Sequence, residues 1–316
     1  MVGESATHDG EPGMSAVTQA TPKSLPPLRA RSVGRRSAVN RAITMGAWIA
    51  GAIGIFVMGW IVFTVIVKGI GAWNWDFFTQ LPPAGNDPGG GLANAIIGTL
   101  VITVGAMVIG LPLGFFGAIY LSEFGRTGTI ATGIRAITNL VLGVPSIIAG
   151  MFAYGIIVLN QGHYSGFAAS VALAFIMLPV MTRTAEDILN LVPNELRESA
   201  LAMGAPRWRA TLGVVVKAAR GGLITGSILA VVRVAGETAP LLFTALSSPY
   251  WMRGLFGPDG YFGGPVGNLT KQIYDFSNSP YSHQQQLAWG GSLLIIVFVL
   301  GANIITRLLF QRGKEW

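Results

Sequence analysis

Two residues of opposite charge, Arg233 and Glu237, lie in an apolar stretch that runs from about residue 221 to about residue 246. A charge near the centre of a membrane helix costs about 2.5–3.5 kcal/mol, or somewhat less for glutamate. The two residues are four positions apart, a spacing that predicts one shared helical face. A guanidinium carries a fork of donors that suits an oxyanion. Glu237 would then hold Arg233 until such an anion arrives, or exclude a second anion.

The alternative interpretation of this pair is structural. The two charges neutralise each other inside the bundle, or one of them bridges to a partner subunit. Arginine chemistry by itself leaves both interpretations open.

Composition places these charges in a membrane protein. The chain has 316 residues, of which 51% are hydrophobic and 11% charged, whereas soluble domains carry roughly 25% charged residues. Its mean hydropathy is +0.56. The absence of cysteine excludes disulfides and thiolate metal sites, and the three histidines are too dispersed for metal-ligand spacing. The net charge of +7 does not indicate nucleic acid, because the basic residues cluster at the ends of the apolar spans.

Six stretches are long enough to cross a bilayer, which needs about 20 apolar residues per helix. We therefore expect an all-α polytopic membrane protein, with a disordered cytoplasmic tail at 1–41, a transmembrane domain at 42–312 and a short C-terminal tail at 313–316. The outer 247–286 loop is predicted to form an interfacial helix or a re-entrant segment near Gln272-Ile273-Tyr274, or to contact an outside partner. The predicted spans lie at about 42–67, 92–121, 136–159, 165–182, 221–246 and 287–306.

The distribution of lysine and arginine predicts the orientation. Basic residues are concentrated before the first span, after the sixth, and in the 123–135 and 183–220 loops. Because cytoplasmic loops carry the excess of positive charge, these loops and both termini are expected in the cytoplasm.

The 183–220 loop is too long to be a simple connector. Asn194 suits a helix N-cap, Gly204 suits a C-cap position with positive φ, and Pro206 suits the first turn of a second helix. The loop therefore predicts two short helices joined at a glycine, with Trp208 as a large exposed anchor of the kind that dominates interfaces. The alternative is a helical hairpin that packs only on its own bundle.

The segment Glu198-Ser199-Ala200-Leu201-Ala202-Met203-Gly204 resembles the cytoplasmic signature loop of ABC-importer permeases, which reads Glu-Ala-Ala, three residues, then Gly. Ser199 stands where the family usually has alanine, and Lys217 stands where the family loop usually closes on proline. The resemblance implies that this loop inserts into a groove on an ATP-hydrolysing subunit. Its coupling positions would be Glu198, Ser199, Ala200 and Gly204.

The segment from Arg233 to Thr244, Arg-Val-Ala-Gly-Glu-Thr-Ala-Pro-Leu-Leu-Phe-Thr, resembles the fifth-span motif of phosphate-specific transport permeases of the PstA type. Further pieces agree, among them Gly143-Val144-Pro145-Ser146. The resemblance implies the architecture of a type I ABC importer permease, with six transmembrane helices and a cytoplasmic coupling-helix loop. It also implies that Arg233 and Glu237 line the substrate pathway, with Arg183 as a weaker candidate.

The same resemblance implies the partners and the location. The chain would pair with a second permease of the PstC type, two copies of an ATP-binding subunit and an extracytoplasmic phosphate-binding protein. It would move inorganic phosphate across the plasma (inner) membrane of a prokaryote. The sequence has no Gly-x-x-x-x-Gly-Lys-Ser/Thr phosphate loop, so ATP and Mg²⁺ would be bound by the partner ATPase, and this chain would not be an enzyme.

Three alternatives stay open at this point. One is a permease for another oxyanion, molybdate or sulfate, which arginine chemistry does not separate from phosphate. Another is a polytopic membrane enzyme, for example one acting on phospholipid headgroups, but the sequence lacks the clustered His, Asp or Glu that such chemistry needs. The third is a membrane scaffold that senses phosphate and signals to cytoplasmic partners.

Overall fold

The computed structural model describes residues 33–85, 87–126 and 128–311. Most of the predicted 1–41 tail and all of the predicted 313–316 tail lie outside these ranges. Residues 33–41 are already helical, which corrects the predicted start of the first helix at 42. No proline follows Pro27 in this region, and its arginines are good helix formers, so nothing stops the apolar helix from extending toward the N-terminus.

The fold is all-α, and no strand occurs in the described part of the chain. The first helix, α1, spans Val33–Gly69, and its portion up to Val57 belongs to a separate compact unit. In that portion Trp48 and Ile55 expose 77% and 78% of their surfaces. This exposed apolar surface suits contact with lipid.

The second unit, from Met58 onward, contains the remaining helices. Three π-helical segments occur in the described chain. Tyr120–Phe124 extends the end of α3, Tyr154–Val158 connects α5 to α6, and Thr211–Val215 connects α9 to α10. The helices are α2 Trp75–Thr79, α3 Ala93–Ile119, α4 Thr129–Gly143, α5 Ser146–Ala153, α6 Leu159–Gln161, α7 Gly166–Asn190, α8 Asn194–Ala202, α9 Arg207–Ala210, α10 Val216–Ala235, α11 Ala239–Thr244, α12 Leu269–Ser277 and α13 Ser282–Gln311.

Five of the described helical runs are long and apolar enough to cross a membrane, and a bent pair supplies a sixth. The bent pair, α4 with α5, turns by 104°, so the predicted 136–159 span is two helices rather than one. The turn lies at Val144-Pro145, where the proline ring disfavours helical backbone for the residue before it. The predicted 165–182 span also continues as α7 to Asn190.

Helices α3 and α7 pack closely through small residues at the centre of the bundle. A Cβ on Gly114 would lie 2.8 Å from the Met181 Cβ, so this glycine lets the two backbones approach. Ser170 Oγ on α7 donates to the Ile102 carbonyl of α3 at 3.1 Å. Small residues and hydroxyl bonds are the usual means of joining helices in lipid.

Two further apolar clusters lie at opposite ends of the bundle. The cluster at the end where α8 is found includes Ile119, Leu189, Val192 and Val215. The other cluster includes Phe77 and residues of α12, the helix that the sequence predicted near Gln272-Ile273-Tyr274. The first of these clusters supports the candidate docking surface described below.

Candidate functional site

Glu237 does not continue the helix that carries Arg233. Helix α10 ends at Ala235, and Glu237 lies in the turn before α11, so the predicted continuous span at 221–246 and the shared helical face are wrong. A continuous helix would need the N–H of residue 240 to bond the Gly236 carbonyl. Pro240 has no N–H and its ring would clash with that carbonyl, so the helix stops.

The two charged side chains share a cavity without pairing. Within the described ranges, neither Arg233 nor Glu237 makes a side-chain hydrogen bond or ion pair, so the expected mutual neutralisation is absent from this structure. Arg233 is exposed and Glu237 is half-buried, and both line a cavity of about 140 Å³. The Glu237 carbonyl accepts a 3.0 Å hydrogen bond from Thr270 Oγ1, which fixes the turn.

The cavity lies where two broken helices meet α7. One break is the Val144-Pro145 turn, after which α5 begins at Ser146, and the other is the turn that contains Glu237. The lining residues are Val141, Leu142, Val144, Ser146, Ala149, Phe175, Ile176, Pro179, Val180, Arg233 and Glu237.

This arrangement favours a small anion. The first N–H groups of α5, at Ser146, have no partner within the helix, and a helix N-terminus carries partial positive charge. Arg233 adds a full positive charge with several donors. Discontinuous helices that direct an N-terminus at an anionic substrate recur in membrane transporters. The carboxylate of Glu237 on the same wall opposes binding of a second negative charge.

The predicted coupling residues lie on and directly after α8. Glu198 and Ser199 are exposed and Ala200 is half-buried, and Ser199 Oγ donates to the Glu195 carbonyl at 2.6 Å. Gly204 has φ +82°, which confirms the positive φ predicted for it. The cap position is Pro193 rather than the predicted Asn194, which is the first residue of the helix.

The second predicted loop helix is not a separate element. Residues 207–235 form one continuous helix, so the segment that carries Trp208 is the beginning of the helix that carries Arg233. At 1.5 Å per residue, Arg207 and Arg233 are separated by about 39 Å along this helix.

Helix α8, the turn after it and the beginning of α9 expose apolar side chains. Met203 exposes 88% of its surface, Trp208 56% and Leu201 42%. Together with Glu198 these residues are named the α8 surface below. A patch of this kind, with a large aromatic residue, is typical of a protein-binding site.

Arg183 lies neither at the Arg233 cavity nor on the α8 surface. It lies on α7 with its Nε 3.2 Å from Asp187 Oδ2, and both side chains are about half exposed, at 47% and 57%. It does not line the Arg233 cavity.

Sequence reasoning missed two groups of residues. Ser146 was noted only as part of a motif, although a Gly- and Pro-interrupted apolar span is itself a pointer to a binding site in transporters. Arg197 was counted only among the basic residues of the 183–220 loop and Glu123 was not singled out, yet the two form a buried ion pair with Nη2 2.9 Å from Oε1. No local pattern indicates that pair, because its members are 74 positions apart.

Comparison with known proteins assigns this architecture to a family. Residues 110–314 match the family described as binding-protein-dependent transport system inner membrane component. The chain belongs to that family. It is accordingly a multi-pass transport permease component of the inner membrane.

The relatives agree with the motif resemblance. Over 262 residues the chain is 44% identical to phosphate transport system permease protein PstA of Yersinia pestis, covering 83% of this chain and 86% of that protein. It is 42% identical to PstA of Haemophilus influenzae over 279 residues, covering 88% and 96%. It is 35% identical to PstA 2 of Mycobacterium bovis over 300 residues, covering 92% and 96%. The predicted PstA-type family is confirmed.

A solved structure supports the fold. The inward-facing MetNI methionine ABC transporter matches with a TM-score of 0.57 at 19% identity, over 71% of this chain and 96% of that one. This likeness confirms the predicted all-α fold, and the family match adds that the fold is that of a transport permease.

Proposed function

We propose that this chain is the membrane permease subunit of an ATP-driven importer of inorganic phosphate and that it forms part of the anion pathway. The main observation behind this proposal is the cavity at Arg233. It is lined both by a guanidinium that has no partner in the described ranges and by the N-terminus of α5. The relatives are phosphate transport system permease proteins PstA, which favours phosphate among the oxyanions that this chemistry would accept.

In this proposal the polar groups of the cavity have separate roles. Arg233 binds two phosphate oxygens through its fork of N–H donors, and the first N–H groups of α5 at Ser146 donate hydrogen bonds to the other phosphate oxygens. Glu237 limits occupancy to one anion, because its carboxylate repels a second negative charge. Arg183 contacts lipid phosphates or the partner permease rather than the transported anion.

The α8 surface is the proposed contact with an ATP-binding subunit. Glu198, Ser199, Ala200 and Gly204 would enter a groove of that subunit, and the exposed apolar side chains would anchor the contact. ATP and Mg²⁺ would be bound by that subunit, and this chain would need no cofactor of its own. Closure of the ATP-binding subunits would displace α8 and switch the cavity from one side of the membrane to the other.

The complete importer would contain this chain and a PstC-type permease as a heterodimer, two copies of the ATP-binding subunit and an extracytoplasmic phosphate-binding protein. Both termini and α8 would lie in the cytoplasm of a prokaryotic cell. The excess of arginine around α8 and α9 supports this orientation.

The test is uptake of radiolabelled phosphate in cells that lack their own phosphate permease and express this chain with its partners. Arg233→Gln should abolish most uptake while the complex still assembles. Arg220→Gln is the matched control, because Arg220 is an exposed residue of the same helix that does not line the cavity.

Competition with unlabelled anions tests the substrate. An excess of sulfate or molybdate should leave phosphate uptake unchanged. Inhibition by either would move the substrate to that oxyanion, and normal uptake in Arg233→Gln would remove Arg233 from the pathway.

A further inference from the structure

Helix α8 is attached to the bundle through a charged side chain. Of its nine residues, all within the described ranges, only Arg197 is buried. Leu196 and Leu201, the apolar residues on either side, expose 43% and 42% of their surfaces. Since arginine is rarely buried without partners, the contacts of Arg197 explain how α8 is held.

One guanidinium joins α8 to two other segments. Arg197 Nη2 donates to the Leu189 carbonyl at 2.7 Å, and Nη1 donates to the Val192 carbonyl. Both carbonyls belong to the end of α7 and the turn after it. Arg197 Nε also donates to Glu123 Oε1 at 3.0 Å, and Glu123 lies in the π-helical segment that ends α3. The Arg197 and Glu123 side chains are only 10% and 9% exposed.

These attachment points belong to one packed unit. Leu189 and Val192 lie in the same buried apolar cluster as Ile119, which is four positions before Glu123 on the α3 run. Packed interiors are stiff and transmit displacement. A force applied to α8 therefore reaches α7 through the two carbonyl bonds and reaches α3 through the carboxylate of Glu123.

We propose that the Glu123–Arg197 pair is the positioning link that carries movement of α8 to α3 and so couples ATP hydrolysis to transport. This inference rests on the proposed function, in which α8 docks on an ATP-binding subunit. The pair is poorly explained by stability alone, since a buried ion pair often contributes no more than an apolar contact of similar size.

The variant that tests the link is Glu123→Gln. It removes the charge but keeps an oxygen acceptor, and Arg197 keeps its bonds to both α7 carbonyls, so α8 stays attached to α7. The matched control is Glu186→Gln. Glu186 is the buried member of a neighbouring pair, 2.7 Å from Arg135 Nε and 5% exposed. This pair joins α7 to α4, and Arg135 also donates to the Leu121 carbonyl, but Glu186 makes no hydrogen bond or ion pair with α8 in the described chain.

The measurement is the number of phosphate ions transported per ATP hydrolysed, in vesicles that contain the whole importer and its phosphate-binding protein. We expect this ratio to fall at least about fivefold in Glu123→Gln, the lower end of typical coupling free energies. The ratio should stay at the wild-type value in Glu186→Gln, even if less complex is recovered. An unchanged ratio in Glu123→Gln overturns the proposal, as does a loss of assembled complex confined to that variant.

A chemical rescue separates mechanical linkage from folding. The chain has no cysteine, so Glu123→Cys combined with Arg197→Cys places two unique thiols beside a cavity of about 270 Å³ that both positions line. A short bifunctional thiol reagent should raise the transported phosphate per ATP toward the wild-type ratio. Complete bridging without any rise overturns the proposal. If wild-type vesicles show no phosphate-stimulated ATP hydrolysis, the proposed function fails instead.

Discussion

Gly150 controls how closely the two helix breaks at the Arg233 cavity approach each other. It is buried on α5, where a Cβ would lie 2.5 Å from Pro240 Cα and 2.9 Å from Pro240 O on α11. Gly150 lies four positions after Ser146, and Pro240 lies three positions after Glu237. This contact therefore fixes the distance between two walls of the cavity.

Gly150→Ala should separate these walls. Carbon atoms pack at about 3.5–4.0 Å, so the new methyl group must move α5 from α11 by about 1 Å or more. The partner atoms are backbone and cannot rotate away. Overpacking of this kind costs about 1–3 kcal/mol, which corresponds to about 5- to 150-fold in an equilibrium.

The assay is phosphate uptake as a function of external phosphate, with melting of the purified complex as a second measurement. Gly150→Ala should raise the half-saturating phosphate concentration within that range and lower the melting temperature. Gly155→Ala is the matched control, because Gly155 lies on the same helical run and a Cβ there meets nothing within 4 Å. If both variants behave like wild type, the close approach of α5 and α11 does not shape the cavity.

Four further substitutions test the α8 surface and the ion pairs of α7. Gly204→Ala puts a side chain at φ +82°, which costs about 1–2 kcal/mol, and should reduce co-purification of the ATP-binding subunit. Trp208→Ala should weaken binding of that subunit by about 30-fold, the effect of losing an interface anchor worth about 2 kcal/mol. Glu186→Ala should destabilise the complex by about 1–3 kcal/mol, since it leaves the half-buried Arg135 Nε without its carboxylate acceptor. Asp187→Ala, whose side chain is 57% exposed, should cost less than about 1 kcal/mol in the same melting assay.

Local sequence patterns were sufficient to predict the number of membrane spans and the backbone conformation of single turns. The apolar runs predicted six spans, and five helices plus one bent pair occupy these regions. Gly204 was assigned a positive φ because it follows a short helix, and it has one. Such features depend on a few consecutive residues, so hydropathy and turn preferences can indicate them.

The continuity of the helices was harder to predict. Hydropathy gives the same signal for a bent span as for a straight one. The turns at Val144-Pro145 and Gly236 were therefore predicted to be parts of continuous helices. Proline marked both breaks, but proline inside a membrane helix is also tolerated without a break when neighbouring groups satisfy the freed backbone. The burial of Arg197 was beyond local patterns altogether, because it depends on a carboxylate 74 positions away.

The continuous helix 207–235 connects the two parts of the site. Its first residues carry Trp208 of the α8 surface, and its last turn carries Arg233. Between them it packs closely on α7, where a Cβ on Gly226 would lie 2.7 Å from Thr184 Cγ2. A helix held at its middle transmits displacement from one end to the other. Linkage then requires reciprocity: if docking at α8 changes the affinity for phosphate at Arg233, phosphate changes the affinity of the docked subunit by the same factor.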